Sequence, residues 1–213
     1  MKKLLTLFSA VIMATGIAAT AHAITLKFDD ILTPGGLAGN SGFTYNGYVF
    51  STNTDVIDLS NPDVSDGGPV AVSPNNALMN LNYGTIAITK ENGGAFNFAD
   101  TWLRIYGGPF ENIAGSVTGI TGTTPGTPQA ITGISSSTGW TDITANLTGV
   151  NEVDITIFDF DSSQINFLLD NITLTDVTGT GGGSPVPEPS TMVLLGAGLV
   201  GFAAWRKRKQ SAR

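Results

Sequence analysis

The chain has 213 residues, no cysteine, one histidine and a formal net charge of −7. That length suggests one domain. With the lone His22 inside a leader segment, the working part has neither imidazole nor thiolate. This excludes Ser-His-Asp and Cys-His nucleophilic catalysis, ordinary zinc and copper sites, and disulfide stapling.

At the N-terminus Lys2 and Lys3 precede an apolar run from Leu4 to about Ala19, followed by Ala21-His22-Ala23. A charged start, a short apolar middle and a small-x-small exit predict a signal peptide over residues 1–23. An uncleaved anchor is the alternative, but the run is short for spanning a bilayer. Between Ile24 and Ser184 stand three basic residues, Lys27, Lys90 and Arg104, against sixteen acids, a net charge of −13. Such a body repels phosphates, so no nucleic-acid partner is expected. The chemistry left to it is that of carboxylates, hydroxyls, amides and hard cations.

Residues 24–177 read as all-β. They are rich in Thr, Val, Ile, Phe, Gly and Asn, and alternation of period two recurs without a helical period. Strands are predicted at Ile24–Asp29, Phe43–Ser51, Thr85–Lys90, Ala95–Phe98, Thr101–Tyr106, Ile113–Ile120, Gln129–Ile134, Asp142–Thr148, Glu152–Phe158, Ile165–Leu169 and Ile172–Asp176. Turn signals separate them, among them Pro34-Gly35-Gly36, Asn61-Pro62-Asp63, Asp66-Gly67-Gly68 and Asn92-Gly93-Gly94. Many short strands at this spacing predict a single sandwich or barrel. The Thr/Gly/Ser/Pro-rich stretch 118–138 reads as a long loop or as two edge strands.

Alternation also picks out two carboxylates. Ile24, Leu26 and Phe28 share a face, and Asp30 joins it if the strand continues. Asp170 falls with Leu168, Ile172 and Leu174. A buried carboxylate needs a counter-charge, and the body has few basic residues. A structural calcium ion shared by Asp30 and Asp170 is therefore expected. The alternative puts both aspartates at solvated strand ends. Asp154, Asp159 and Asp161 form a second acidic group without the later Gly and Glu of an EF-hand, and read as a solvated turn.

Tyr45, Tyr48, Tyr83, Trp102, Tyr106 and Trp140 are the aromatics able to stack on a sugar ring. Trp102, Tyr106 and Trp140 are the candidate ligand contacts, although a Trp at a strand start is more often a core plug. Glycoside hydrolysis needs two carboxyls about 5–10 Å apart. Sixteen acids make some such pair inevitable, so no enzyme is read from them.

Residues 178–185, Thr-Gly-Thr-Gly-Gly-Gly-Ser-Pro, predict a flexible linker. Residues 186–213 form a three-part tail: the rigid polar motif Val186-Pro187-Glu188-Pro189, an apolar helix over residues 190–205, and the basic end Arg206-Lys207-Arg208-Lys209. As a helix, Ser190 to Trp205 spans roughly 24 Å, somewhat short of a ~30 Å hydrocarbon core. The basic end holds the C-terminus in the cytoplasm.

This tail resembles the PEP-CTERM sorting signal of Gram-negative bacteria, with Pro187, Glu188 and Pro189 as the sorting motif. The resemblance implies an exported protein, transiently held in the inner membrane, cut near that motif by an exosortase, and associated with exopolysaccharide-producing, biofilm- or floc-forming species. A plain C-terminal anchor is the alternative. The body is similar to PEP-CTERM passenger domains in Phe28-Asp29-Asp30-Ile31 and in Phe167-Leu168-Leu169-Asp170-Asn171-Ile172. Gly139-Trp140 leading into Leu147-Thr148-Gly149-Val150 is similar to galactose-binding-like jelly-roll modules. That likeness implies a jelly-roll β-sandwich between signal peptide and transmembrane sorting helix, with calcium held by acids in the first and last strands.

Two functions follow as expectations. One is a non-enzymatic surface or matrix protein, structural or adhesive in an exopolysaccharide matrix. The other is a carbohydrate-binding module for a matrix polysaccharide.

Overall fold

The computed structural model describes residues 22–39, 42–81, 84–110, 113–159 and 165–177. All of them belong to the unit Thr20–Thr180; the other unit, Met1–Ala19 with Gly181–Arg213, lies outside the described residues. So do residues 1–21 of the leader, the linker, the tail helix and the sorting motif, together with Tyr83 and Asp161.

In chain order the strands are β1 (Ala23–Leu26), β2 (Phe43–Tyr45), β3 (Tyr48–Phe50), β4 (Thr54–Asp58), β5 (Asn76–Asn80), β6 (Ile86–Lys90) and β7 (Phe96–Ile105). They continue with β8 (Ile113–Thr121), β9 (Thr124–Pro125), β10 (Gln129–Ile134), β11 (Thr141–Val150), β12 (Glu152–Phe158) and β13 (Phe167–Asp176). One sheet has the order β11-β7-β13-β5-β4, with β1 also paired to β13. The other has the order β10-β8-β12-β6-β3-β2, with β9 on β8. Every pairing is antiparallel. From β6 onward the chain passes repeatedly between the sheets, the two-sheet jelly roll expected of the body.

Alternation builds the core. In β12, Val153, Ile155 and Ile157 are fully buried while Glu152, Asp154, Thr156 and Phe158 point to the other face. They meet Phe28, Phe50, Phe96, Phe98, Leu169 and Leu174 between the sheets. Each such side chain stabilises the fold by about 1.5–3 kcal/mol over leaving it exposed.

Three local features correct the sequence expectations. The strand predicted over Phe43–Ser51 is a hairpin. Asn46 and Gly47 both have positive φ, 50° and 79°, which a two-residue type I′ turn requires, and Tyr45 pairs with Tyr48 across it. The first strand ends at Leu26. Phe28 takes a φ of 64°, strained for a side chain of its size, and its carbonyl is held by Asn76 Nδ2 at 3.0 Å. Its ring turns into the core against Phe43, Tyr45 and Phe50, and Asp29 and Asp30 are thrown to the surface. Asp30 is therefore exposed and does not join the apolar face. Finally, Ile165–Leu169 and Ile172–Asp176 lie in one strand that bulges at its middle. Asn171 has φ 48° and the register against β7 shifts between Asp170 and Thr173. The bulge keeps Leu169, Ile172 and Leu174 in the core and sends Leu168 and Asp170 to the outer face, not to a face shared with Ile172 and Leu174.

Strands β4 and β5 have no counterpart in the sequence reading. The segment between them, residues 59–75, folds over the outer face of the first sheet. It encloses a second apolar cluster of Ile57, Leu59, Ala71, Ala77, Met79 and Leu168.

Candidate functional site

The covering segment gathers most of the residues that carry chemistry. Cross-strand pairing puts Arg104 of β7 beside Leu168, and Trp102 between Asp142 and Asp170, all on the outer face of the first sheet. An arginine at that place is buried only because the segment brings an acid to it. Arg104 Nη2 and Nη1 donate to Asp66 Oδ1 and Oδ2 at 2.9 and 3.1 Å, and only 2% of the Arg104 side chain is exposed. Burial pushes the Asp66 carboxyl up, but Arg104 and the Gly107 and Gly68 amides outweigh it and hold the carboxyl below its usual range.

Aromatic residues complete the clamp. The Trp140 ring lies against the guanidinium, 5.8 Å from Arg104 Cζ, and Trp140 Nε1 donates to the Val70 carbonyl at 2.7 Å. The Tyr106 hydroxyl donates to the Val64 carbonyl. Burial, then the Asp66 charge, raises the pKa of that hydroxyl. Of the three candidate sugar contacts, Tyr106 and Trp140 thus have their polar ends engaged within the fold. Trp102 is partly buried between two acids. Beside the clamp lies a cleft of about 420 Å³, walled by Asp66, Gly67, Gly68, Arg104, Gly107 and Ser136. A Cβ on Gly68 would stand 1.8 Å from Arg104 Nη1, so any side chain there would push the guanidinium out of its present place.

Asp170 is fully buried under the same segment. Its carboxylate accepts from Ser73 N at 2.7 Å, Ser73 Oγ at 2.8 Å and Asn171 N at 2.7 Å. Burial raises its pKa, the Ser73 and Asn171 donors oppose this, and the charge of Asp29 adds to it. Asp30 has a different partner, the Tyr45 hydroxyl at 2.5 Å. The carboxylate whose charge reaches Asp170 is therefore that of Asp29, which itself faces the Asn75 and Asn76 amides. Among the described residues no group of three or more acids and histidines is placed to hold a metal ion.

A further acidic pair lies on the open face of the second sheet. Glu152 and Asp154 are two apart on β12 and so share a face. Burial and the neighbouring Glu152 carboxylate raise Asp154 to about 6. Asp66, Arg104, Ser73 and Asp29 were not singled out in the sequence. Arg104 had one signal, as one of only three basic residues in a strongly acidic body.

Residues 185–209 match the PEP-CTERM protein-sorting motif. The chain carries an exosortase sorting tail. The motif marks an exported protein of the exosortase-processed kind, and Pro187, Glu188 and Pro189 lie within the match. No curated protein matches the chain. Among solved structures, it is similar to a family 29 carbohydrate-binding module from Piromyces equi, at 11% identity and a TM-score of 0.40, covering 75% of this chain and 93% of the module. It is similar to the CBM22-1 xylan-binding domain of Paenibacillus barcinonensis Xyn10C, at 10% identity and a TM-score of 0.40, covering 77% and 100%. It is also similar to an arabinose-bound MgGH51 α-L-arabinofuranosidase, at 16% identity and a TM-score of 0.38. Here the match covers 64% of this chain but only 24% of the enzyme, about a quarter of its length.

Proposed function

We propose that the PEP-CTERM tail delivers a non-enzymatic body to the cell surface or the extracellular matrix, where it is structural or adhesive among exopolysaccharides. In this reading a leader over residues 1–23 carries the chain through the inner membrane. The tail helix then holds it there until an exosortase cuts near Pro187-Glu188-Pro189. One observation carries the assignment of the body: four of its candidate stacking aromatics are spent on its own packing. Trp140 lies on Arg104, Tyr106 holds Val64, and Tyr45 and Tyr48 pack against Phe28 and Phe96.

A glycan array probed with residues 24–177 in the presence of calcium tests this. Binding to no glycan is expected of a matrix component; saturable binding to one class contradicts it. The second reading, recognition of a matrix polysaccharide, is supported by the cleft beside Arg104. Buried Arg104 Nε there has no hydrogen-bond partner among the described residues, and two glycine pairs leave the walls low.

Calcium at Asp170 belongs to the same proposal. It is supported by a fully buried carboxylate that no ion pair reaches among the described residues, with Asp29 and Asp30 just beyond the end of β1. Calcium takes six to eight oxygens, so backbone carbonyls and water would supply most of them.

A further inference from the structure

The first strand begins and the last strand ends at one corner of the sandwich. β1 runs antiparallel to the end of β13, with Ala23 opposite Thr175 and Ile24 opposite Leu174. A cleft of about 450 Å³ opens there, lined by His22, Ile24, Tyr48, Lys90, Glu91 and Asp176 among others. Asp176 is its electrostatic centre. Its Oδ1 accepts from Lys90 Nζ at 2.7 Å and from the Tyr48 hydroxyl at 3.3 Å. With 59% of its side chain exposed, Asp176 has room for another donor. Burial first, and the Asp176 charge second, push the Tyr48 hydroxyl well above its usual range, so the phenol stays a neutral donor.

The peptide bond expected to be cut during export joins Ala23 to Ile24, and Ile24 lines this cleft. Hydrolysis of the Ala23–Ile24 bond by a leader peptidase, with water as co-reactant, breaks the C–N bond. The leader departs with His22 and a new carboxylate on Ala23. Ile24 keeps the nitrogen as an amine, which takes up a proton. A neutral amide thereby becomes a cation, in a cleft whose other charged side chains are Asp176 from β13, Glu91 from the turn after β6, and Lys90 from β6.

We propose that Asp176, assisted by Glu91, is a receptor for the α-ammonium group of Ile24 created by leader removal, so that export processing completes the edge between the first and last strands. The proposal rests on the leader reading given above. Two carboxylates outnumber the single Lys90, so the protonated amine is favoured. The effect on stability is small, because the pair is largely exposed, and the titration of the amine itself is the direct readout.

Residues 24–177 contain both apolar clusters and all the strands except the first residue of β1, so a chain beginning at Ile24 carries its own packing. Competitive labelling of its α-amine across pH, read by mass spectrometry of the N-terminal peptide, gives the pKa. A value above the ordinary ~7.7–8.0 is expected, falling back to it in Asp176→Asn and part of the way in Glu91→Gln. The sign follows from linkage. A folded-state pKa above the unfolded one contributes stability below the unfolded value, which is lost as pH rises through the folded value. Acetylating Ile24 removes that pH dependence. An ordinary pKa that Asp176→Asn leaves unmoved overturns the ion pair. Sequencing the N-terminus of the exported protein tests the leader reading separately: a start other than Ile24 overturns that reading and the origin of the ammonium with it.

Discussion

Asp66 and Arg104 meet in a two-pronged ion pair, at 2.9 and 3.1 Å, that fastens the segment between β4 and β5 onto the outer face of the first sheet. The guanidinium is buried and the carboxylate nearly so. Removing one partner of such a pair leaves the other charge uncompensated. Asp66→Ala is expected to destabilise residues 24–177 by about 3–5 kcal/mol, measured by urea denaturation. Replacing both, as Asp66→Leu with Arg104→Met, is expected to cost much less. If the two variants lose the same stability, the pair is not what holds the segment.

Asp154 predicts a pH effect. Burial and Glu152 raise its carboxyl to about 6, above the ~3.9 of an unfolded aspartate. Between those values the folded state binds more protons than the unfolded one, so this group's contribution to stability falls as pH rises. Asp154→Asn mimics the protonated form. It is expected to raise the melting temperature relative to the natural protein at pH 7, with the gap closing by about pH 4. A gap independent of pH argues against a raised carboxyl. Thermal melts at a series of pH values decide the point.

Much of this was legible in the sequence and some was not. Alternation placed β12 to the residue, because Val153, Ile155 and Ile157 alternate cleanly toward the core, and β10 was placed as well although a register shift separates its two core residues, Ile131 and Ile134. It failed wherever one backbone angle changes which face follows. The positive φ at Phe28 and at Asn171 left Asp30 exposed and moved Asp170 to the outer face. Neither residue is the glycine that normally signals such a conformation. The Asn46-Gly47 hairpin did carry its signal and was read through. Strands β4 and β5 escaped because they are buried on both sides. The segment between them covers one face, so their burial does not alternate. The clamp was unreadable for the same reason, since Asp66 looked like an ordinary turn residue until the fold brought it to Arg104.

Trp140 separates a structural from a binding role. Its ring lies against a buried cation and its Nε1–H is bonded to the Val70 carbonyl. Trp140→Ala is expected to cost about 1–3 kcal/mol of stability, with no glycan binding by either protein at a temperature where the variant is folded. Glycan binding by the natural protein that Trp140→Ala abolishes with stability intact supports the polysaccharide reading.

Calcium removal tests the proposal at Asp170. A melt of residues 24–177 with calcium is expected to lie above one with chelator, and Asp170→Asn is expected to remove the difference. Identical melts with and without chelator count against a bound ion. Asp170→Asn also disturbs the Ser73 contacts, so its own loss of stability is expected in both conditions.

The central claim is that the tail is a processing signal and the body is what remains outside. The mass of the protein recovered from the cell surface or culture medium measures this most directly. The account predicts a species cut near Pro187-Glu188-Pro189, without the apolar helix and basic end that follow. A surface species that retains the tail beyond Ser190 contradicts it and leaves a plain membrane anchor.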